Sequence, residues 1–138
     1  MLSFYKMTTP IRFLNNQDFD YYGNIVDMGL RGGKTVIMFY TDSCKDCKEF
    51  YPVYQQIAKL NPDAKICMVS TLQNAKLMAR LKKVFPFTVE NTPTVISYLD
   101  GGYYSSYDYG HNEKGDYRTL NDLMEYIDGI GKAKIVTK

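Results

Sequence analysis

Two cysteines stand three positions apart in the stretch Thr41–Pro52, TDSCKDCKEFYP. At that spacing Cys44 and Cys47 can cycle between dithiol and disulfide, supply half of a metal site, or pack as two small apolar side chains at a helix start. The first use has a physical basis in the surroundings. Lys34–Tyr40, KTVIMFY, is short, apolar and β-branched in its first half, so it reads as a buried strand. A few polar residues then turn the chain, and a helix is expected to begin at about Cys44. A helix N-terminus presents unpaired N–H groups and the positive end of the helix dipole, and both favour an anion. A thiol placed there gains thiolate character. Cys47, one turn on and on the same face, puts its Cα roughly 5–6 Å from that of Cys44, within the range a disulfide accepts. Cys44 can then attack a disulfide, and Cys47 can resolve the mixed intermediate. The flanking charges pull both ways, Lys45 and Lys48 for the thiolate, Asp42 and Asp46 against it.

A zinc site wants four Cys or His ligands. The further candidates are Cys67, inside the apolar run AKICMVS, and His111, in a polar stretch. The first reads as core and the second as solvated, so neither metal nor cofactor is expected. A metal cluster shared across a dimer interface stays open as an alternative.

The elements that must position the pair follow from the hydrophobic pattern. Thr9–Leu14 reads as a brief strand. Asn16 can cap a helix running through Met28, with Asp18 and Asp20 in its first turn and Phe19, Tyr22 and Val26 on one face. After the strand 34–40, a helix over about Cys44–Leu60 carries Phe50, Val53, Ile57 and Leu60 as its apolar stripe, with Pro52 inside it as a kink. Ala64–Ser70 is a strand. A helix follows near Asn74–Val84 with Leu77, Leu81 and Val84 aligned, and then a loop, Phe85–Asn91. Pro93–Leu99 is a strand, Asp100-Gly101-Gly102 a hairpin turn and Tyr103–Tyr109 the returning strand. The polar stretch Gly110–Asp116 leads to a last helix, about Arg118–Ile130, with Leu120, Leu123, Met124 and Ile127 on one face. The order is βαβαβαββα.

The chain has 138 residues, enough for one compact domain with one core. A net charge of +2 is too small for a nucleic-acid footprint. No apolar run spans a bilayer, so no membrane partner is expected. The first residues, MLSFYKMTTP, lack the apolar region of a secretory signal, and KAKIVTK is not a retention signal, so a cytoplasmic or other reducing compartment is expected. Three cysteines do not make a disulfide framework. The chain has 13 tyrosines and no tryptophan, and four of them, Tyr103, Tyr104, Tyr107 and Tyr109, alternate along an outer strand in GGYYSSYDYG. They read either as amphipathic strand residues with one wet end or as a protein-contact surface.

With these pieces in place the sequence resembles the thioredoxin family, in particular the thioredoxin-like domains of protein disulfide isomerases. The resemblance covers residues 10–130, between an N-terminal extension (1–9) and a basic tail (131–138) carrying Lys132, Lys134 and Lys138. It is carried by VIMFYTDSCKDCKEFYPVYQQIAKL, by Thr92-Pro93-Thr94 before a strand and hairpin, and by Gly110 followed by Arg118 and the closing helix. It implies an α/β thioredoxin fold, a central mixed sheet flanked by helices, and a thiol–disulfide oxidoreductase acting on protein substrates. By the resemblance Cys44 is the attacking thiol and Cys47 the resolving one, joined as a redox-active disulfide. Pro93 is a cis-proline facing Cys44, and Thr92 offers its backbone to an extended substrate segment. Ser43, Lys45 and Asp46 are the further substrate-facing residues. The chain departs from the family pattern where an aromatic residue usually precedes the first cysteine (Ser43), between the cysteines (Lys45-Asp46), and where a buried acid usually sits (Met38). Those departures imply a specialised redox protein, or alternatively a thioredoxin-fold binding or structural module with little turnover.

Overall fold

The structure, a computed structural model, describes residues 10–27, 29–84, 92–107 and 119–132. The extension 1–9, the loop 85–91, His111 with the stretch 110–116, Tyr109, Arg118, and Lys134 and Lys138 lie outside the described residues.

Among the described residues five strands form one mixed sheet in the order β1-β3-β2-β4-β5: β1 (Arg12–Leu14), β2 (Lys34–Tyr40), β3 (Ala64–Ser70), β4 (Thr94–Leu99) and β5 (Gly102–Ser106). β1, β3 and β2 are parallel; β4 runs antiparallel to β2 and β5 to β4. Among the described residues three helices flank the sheet: α1 (Lys45–Leu60), α2 (Ala75–Val84) and α3 (Leu120–Gly129).

The central strands are buried on both faces, which explains why β2 and β3 read as nearly continuous apolar runs rather than alternating ones. Alternate residues nevertheless serve two separate cores. Val36, Met38, Ile66, Met68 and Val95 meet α1 and α3, through Cys47, Phe50, Tyr54, Leu123 and Ile127. Ile37, Phe39, Cys67, Val69, Ile96 and Tyr98 meet α2, through Leu77 and Leu81, and the segment bearing Phe19, Ile25 and Leu30.

One expected element is corrected. The helix expected over Asn16–Met28 is not formed in the described residues 16–27, where a single 3-10 turn, Asn16–Asp18, is present with Asn15 as its cap. The local signals compete. Asp20, read as a first-turn acid, turns its side chain onto the N–H groups of Tyr22 and Asn24, at 2.8 and 2.9 Å. Gly23 then takes φ +81, which no helix contains. Phe19 and Ile25 pair as an isolated bridge and are buried, while Tyr22 and Val26, expected on Phe19's face, are exposed.

The remaining elements differ from expectation by up to three residues at their ends, β1 starting at Arg12 rather than Thr9. The buried face of α1 is wider than its predicted stripe. Phe50 and Ile57 are buried, but Tyr51, Tyr54, Cys47 and Ala58 join them, and Leu60 is exposed. Val84 of α2 is likewise exposed. β5 ends at Ser106 rather than Tyr109.

Candidate functional site

The site begins where β2 delivers the chain to the sheet end. Cys44 has extended backbone (φ −79, ψ 111) and is the N-cap of α1. Ser, Thr, Asn or Asp usually fills this role. Here the sulfur does so, with the Cys47 N–H donating to Cys44 Sγ at 3.0 Å. An acceptor at that position faces a helix's unpaired donors, so negative charge on Cys44 is stabilised by the fold itself.

Cys44 and Cys47 are joined as a disulfide with a Cα–Cα distance of 5.2 Å. Their burial is unequal. Cys44 is half-buried, whereas Cys47 has no exposed surface and belongs to the core between α1 and the sheet. A molecule arriving from solvent can reach Cys44 but not Cys47.

Across from Cys44 lies the start of β4. The Thr92–Pro93 peptide bond is cis. Cys44 Sγ stands 3.4 Å from the Thr92 carbonyl oxygen. In the dithiol form that separation suits donation from the Cys44 S–H to the carbonyl. The geometry thus brings together Cys44, Cys47 and Thr92-Pro93, which the sequence separates by nearly fifty residues. Ser43, Lys45 and Asp46 are exposed around the pair.

Met38 has no exposed surface and lies in the same core as Cys47. Among the described residues the buried polar side chains are Thr35, Ser70, Asn74 and Ser97, with no carboxylate. Tyr40, at the end of β2, has its hydroxyl pushed up to about 12, first by burial and then by the charge of Asp42 and by Tyr51. It stays protonated at neutral pH.

Cys67 is buried and unpaired, and burial pushes its thiol up to about 12. Its side chain belongs to the core on the α2 face of the sheet, whereas Cys47 belongs to the α1 face. The sheet therefore stands between Cys67 and the pair. Among the described residues no group of three or more His, Cys, Asp or Glu side chains is placed to hold a metal.

Sequence reasoning missed two tyrosines of the α1 core. Tyr54 has no exposed surface, and its hydroxyl donates to the Cys67 carbonyl at 2.6 Å and to the Val36 carbonyl at 3.1 Å. Tyr51 is buried beside it. Their signal was available: Cys47, Tyr51, Tyr54 and Ala58 follow the 4-3-4 spacing of a helix face. Of the tyrosine-rich strand, Tyr103 packs its ring against Tyr98 (6.3 Å), Tyr107 packs against Tyr126 (5.0 Å), and Tyr104 is 42% exposed.

A sequence model of the thioredoxin family matches residues 8–111, well over half of the chain. No curated protein matches the sequence. Among solved structures, the first two thioredoxin domains of Eps1p from Naumovozyma dairenensis align with a TM-score of 0.62 at 15% identity, covering 89% of this chain and 41% of that one. Human ERp44 aligns in form I with a TM-score of 0.65 at 17% identity, covering 93% and 31%, and in form II with 0.64 at 17%, covering 89% and 30%. This chain thus spans less than half the length of each of these structures. At such identities the likeness is one of fold. Among the described residues no helix is long and apolar enough to cross a membrane.

Proposed function

The chain belongs to the thioredoxin family, and from that premise we propose that it is a thiol–disulfide oxidoreductase acting on protein substrates through Cys44 and Cys47. The observation that carries this reading is the asymmetry of the pair. Cys44 is the reachable sulfur, held at a helix N-cap on the Cys47 N–H, and Cys47 is sealed behind it.

The chemistry runs in two exchanges. In the dithiol form the Cys44 thiolate attacks one sulfur of a substrate disulfide. A Cys44–substrate disulfide forms and the other substrate sulfur leaves as a thiolate. The Cys47 thiol then loses its proton and attacks Cys44 Sγ, closing the Cys44–Cys47 disulfide and releasing the second substrate sulfur. Two electrons pass to the substrate, and the two protons given up by the cysteines match the two its thiols take. The reverse sequence oxidises a substrate dithiol. Direction follows the potential of the pair against its compartment: in a reducing compartment the dithiol is the resting form and the protein reduces. Thr92, held cis to Pro93 beside Cys44, offers backbone groups to an extended substrate segment. Ser43, Lys45 and Asp46 form the rim that such a segment crosses. Tyr104, exposed on β5, is the member of the tyrosine-rich strand we assign to protein contact.

Replacing Cys47 with serine tests the proposal. Cys47→Ser should accumulate a mixed disulfide between Cys44 and a disulfide-bonded peptide, seen as a mass increase that a reductant reverses, and Cys44→Ser should not. Absence of any adduct on Cys44 defeats the enzyme reading.

A second reading, a binding module with little turnover, is favoured by one observation. Met38 lies in the core with Cys47, and among the described residues no buried carboxylate stands ready to take the Cys47 proton. Under it the wild-type protein, and not only Cys47→Ser, would retain the adduct.

A further inference from the structure

We infer that Tyr54 positions the cysteine pair, its buried hydroxyl pinning α1 to the two central strands and so holding the Cys47 N–H on Cys44 Sγ. The inference rests on the thiol–disulfide reading above.

Tyr54 lies seven residues after Cys47 on the same buried face of α1, two turns or roughly 10 Å along the axis. Its hydroxyl is shared between two main-chain carbonyls, Cys67 on β3 at 2.6 Å and Val36 on β2 at 3.1 Å. Val36 is on the strand that runs directly into Cys44. The hydroxyl therefore ties the helix that carries both cysteines to the strand that delivers the first of them.

Packing alone does not require this group. A phenylalanine ring would fill nearly the same volume without burying a polar atom, whose desolvation has to be offset by a hydrogen bond. What the hydroxyl adds is direction. Apolar contacts between α1 and the sheet resist separation but specify axial position weakly, whereas a hydrogen bond fixes a point. Pro52 makes that point matter. Lacking an N–H, it cannot donate to the Lys48 carbonyl, so the ladder of α1 is one rung short between the turn of Cys47 and the turn of Tyr54. A tether just beyond the missing rung decides where the first turn comes to rest.

The other face of the sheet supplies a matched comparison. Tyr98 is equally buried, and its hydroxyl donates to the Gly23 carbonyl at 2.7 Å. It pins the segment around residues 19–25, which carries no cysteine.

The experiment compares Tyr54→Phe with Tyr98→Phe in the full chain, each keeping its ring. The unfolding midpoint, the alkylation rate of Cys44 in the reduced protein at pH 7, and the equilibrium of the pair with reduced and oxidised glutathione are measured. Both variants should melt lower. Only Tyr54→Phe should slow Cys44 alkylation, by about threefold or more, the factor that half a unit in thiol acidity produces. It should also move the glutathione equilibrium toward the Cys44–Cys47 disulfide, because the thiolate loses part of its support. If the two variants match in alkylation and in equilibrium, Tyr54 is structural only and the inference fails. Should wild-type Cys44 capture no substrate disulfide, the enzyme reading falls while this comparison still stands, since it is read on the pair itself.

Discussion

The three cysteines of this chain are one residue type in three environments, and the environment decides the chemistry. Cys44 is half-buried at a helix N-cap, Cys47 sits one turn inside the core, and Cys67 is sealed within a central strand. Burial disfavours the charged form of a thiol, and Cys67 is accordingly pushed up to about 12. A thiol raised that far by burial carries almost no thiolate at pH 8. After reduction, native protein should therefore take up an alkylating reagent at Cys44 and leave Cys67 unmodified until urea is added, as peptide mass mapping would report. Labelling of Cys67 in native protein at the rate of a free thiol would contradict its placement. The spacing and flanks of Cys44 and Cys47 were legible in the sequence, and so was the apolar setting of Cys67. Their separate roles as attacking and resolving thiol were expected too, but the difference in burial behind those roles was not legible, because two residues on one helical face differ in exposure only through what packs above them.

Among the elements, local signals were read well where they agreed and poorly where they conflicted. Asp100-Gly101 was legible as a turn, and both residues adopt positive φ, +52 and +88, as a two-residue hairpin of this hand demands. A Cβ at Gly101 would meet only ordinary contacts, Arg31 and the Ile25 carbonyl at 3.5 Å. Gly101→Ala should therefore pay through its backbone alone, about 1–2 kcal/mol, measurable by urea unfolding; an unchanged midpoint would refute the argument. The segment 16–28 shows the opposite case. Its Asn16 looked like the cap of a helix that follows it directly. In the structure the Asn16 side chain accepts from the Leu77 N–H at 2.9 Å, at the start of α2 and 61 positions away. The Asn16 N–H in turn donates to Asn74. A capping side chain is recognisable in sequence, but the helix it serves is not.

Over the whole molecule, the double-faced sheet buries hydroxyl and thiol groups that would titrate in an unfolded chain. Burial is the first cause for Tyr40 and Cys67, both pushed up to about 12, and it also raises Tyr54, Tyr98 and Tyr126. The sign follows from proton counting. Above pH 9–10 the unfolded chain releases these protons while the native one keeps them, so the unfolded state binds fewer protons and stability falls as pH rises. The Cys67 thiol, with the lowest unfolded value, contributes from about pH 8 upward and the tyrosines from about pH 9; below about pH 8 all are protonated in both states and contribute no slope. Denaturation midpoints of the oxidised protein should thus be insensitive to these groups up to about pH 8, begin to fall as Cys67 titrates in the unfolded chain, and fall steeply toward pH 12 as the tyrosines join it, by up to about 1.4 kcal/mol per pH unit for each group involved. A flat profile between pH 9 and 11 would mean that these side chains are not buried as described.

By itself the sequence determined the secondary-structure frame of β2 through α3, the α/β character and the identity of the cysteine pair. Each of these is encoded locally, in hydrophobic period, turn residues and spacing. The tertiary structure alone decided which sulfur solvent can reach, which face of the sheet Cys67 occupies, and that a tyrosine two turns along α1 fastens that helix to β2 and β3, while the approach of Thr92 to Cys44, 3.4 Å, was expected only through the family resemblance. These depend on contacts between residues far apart in the chain, and side-chain pattern alone does not specify which distant groups will meet.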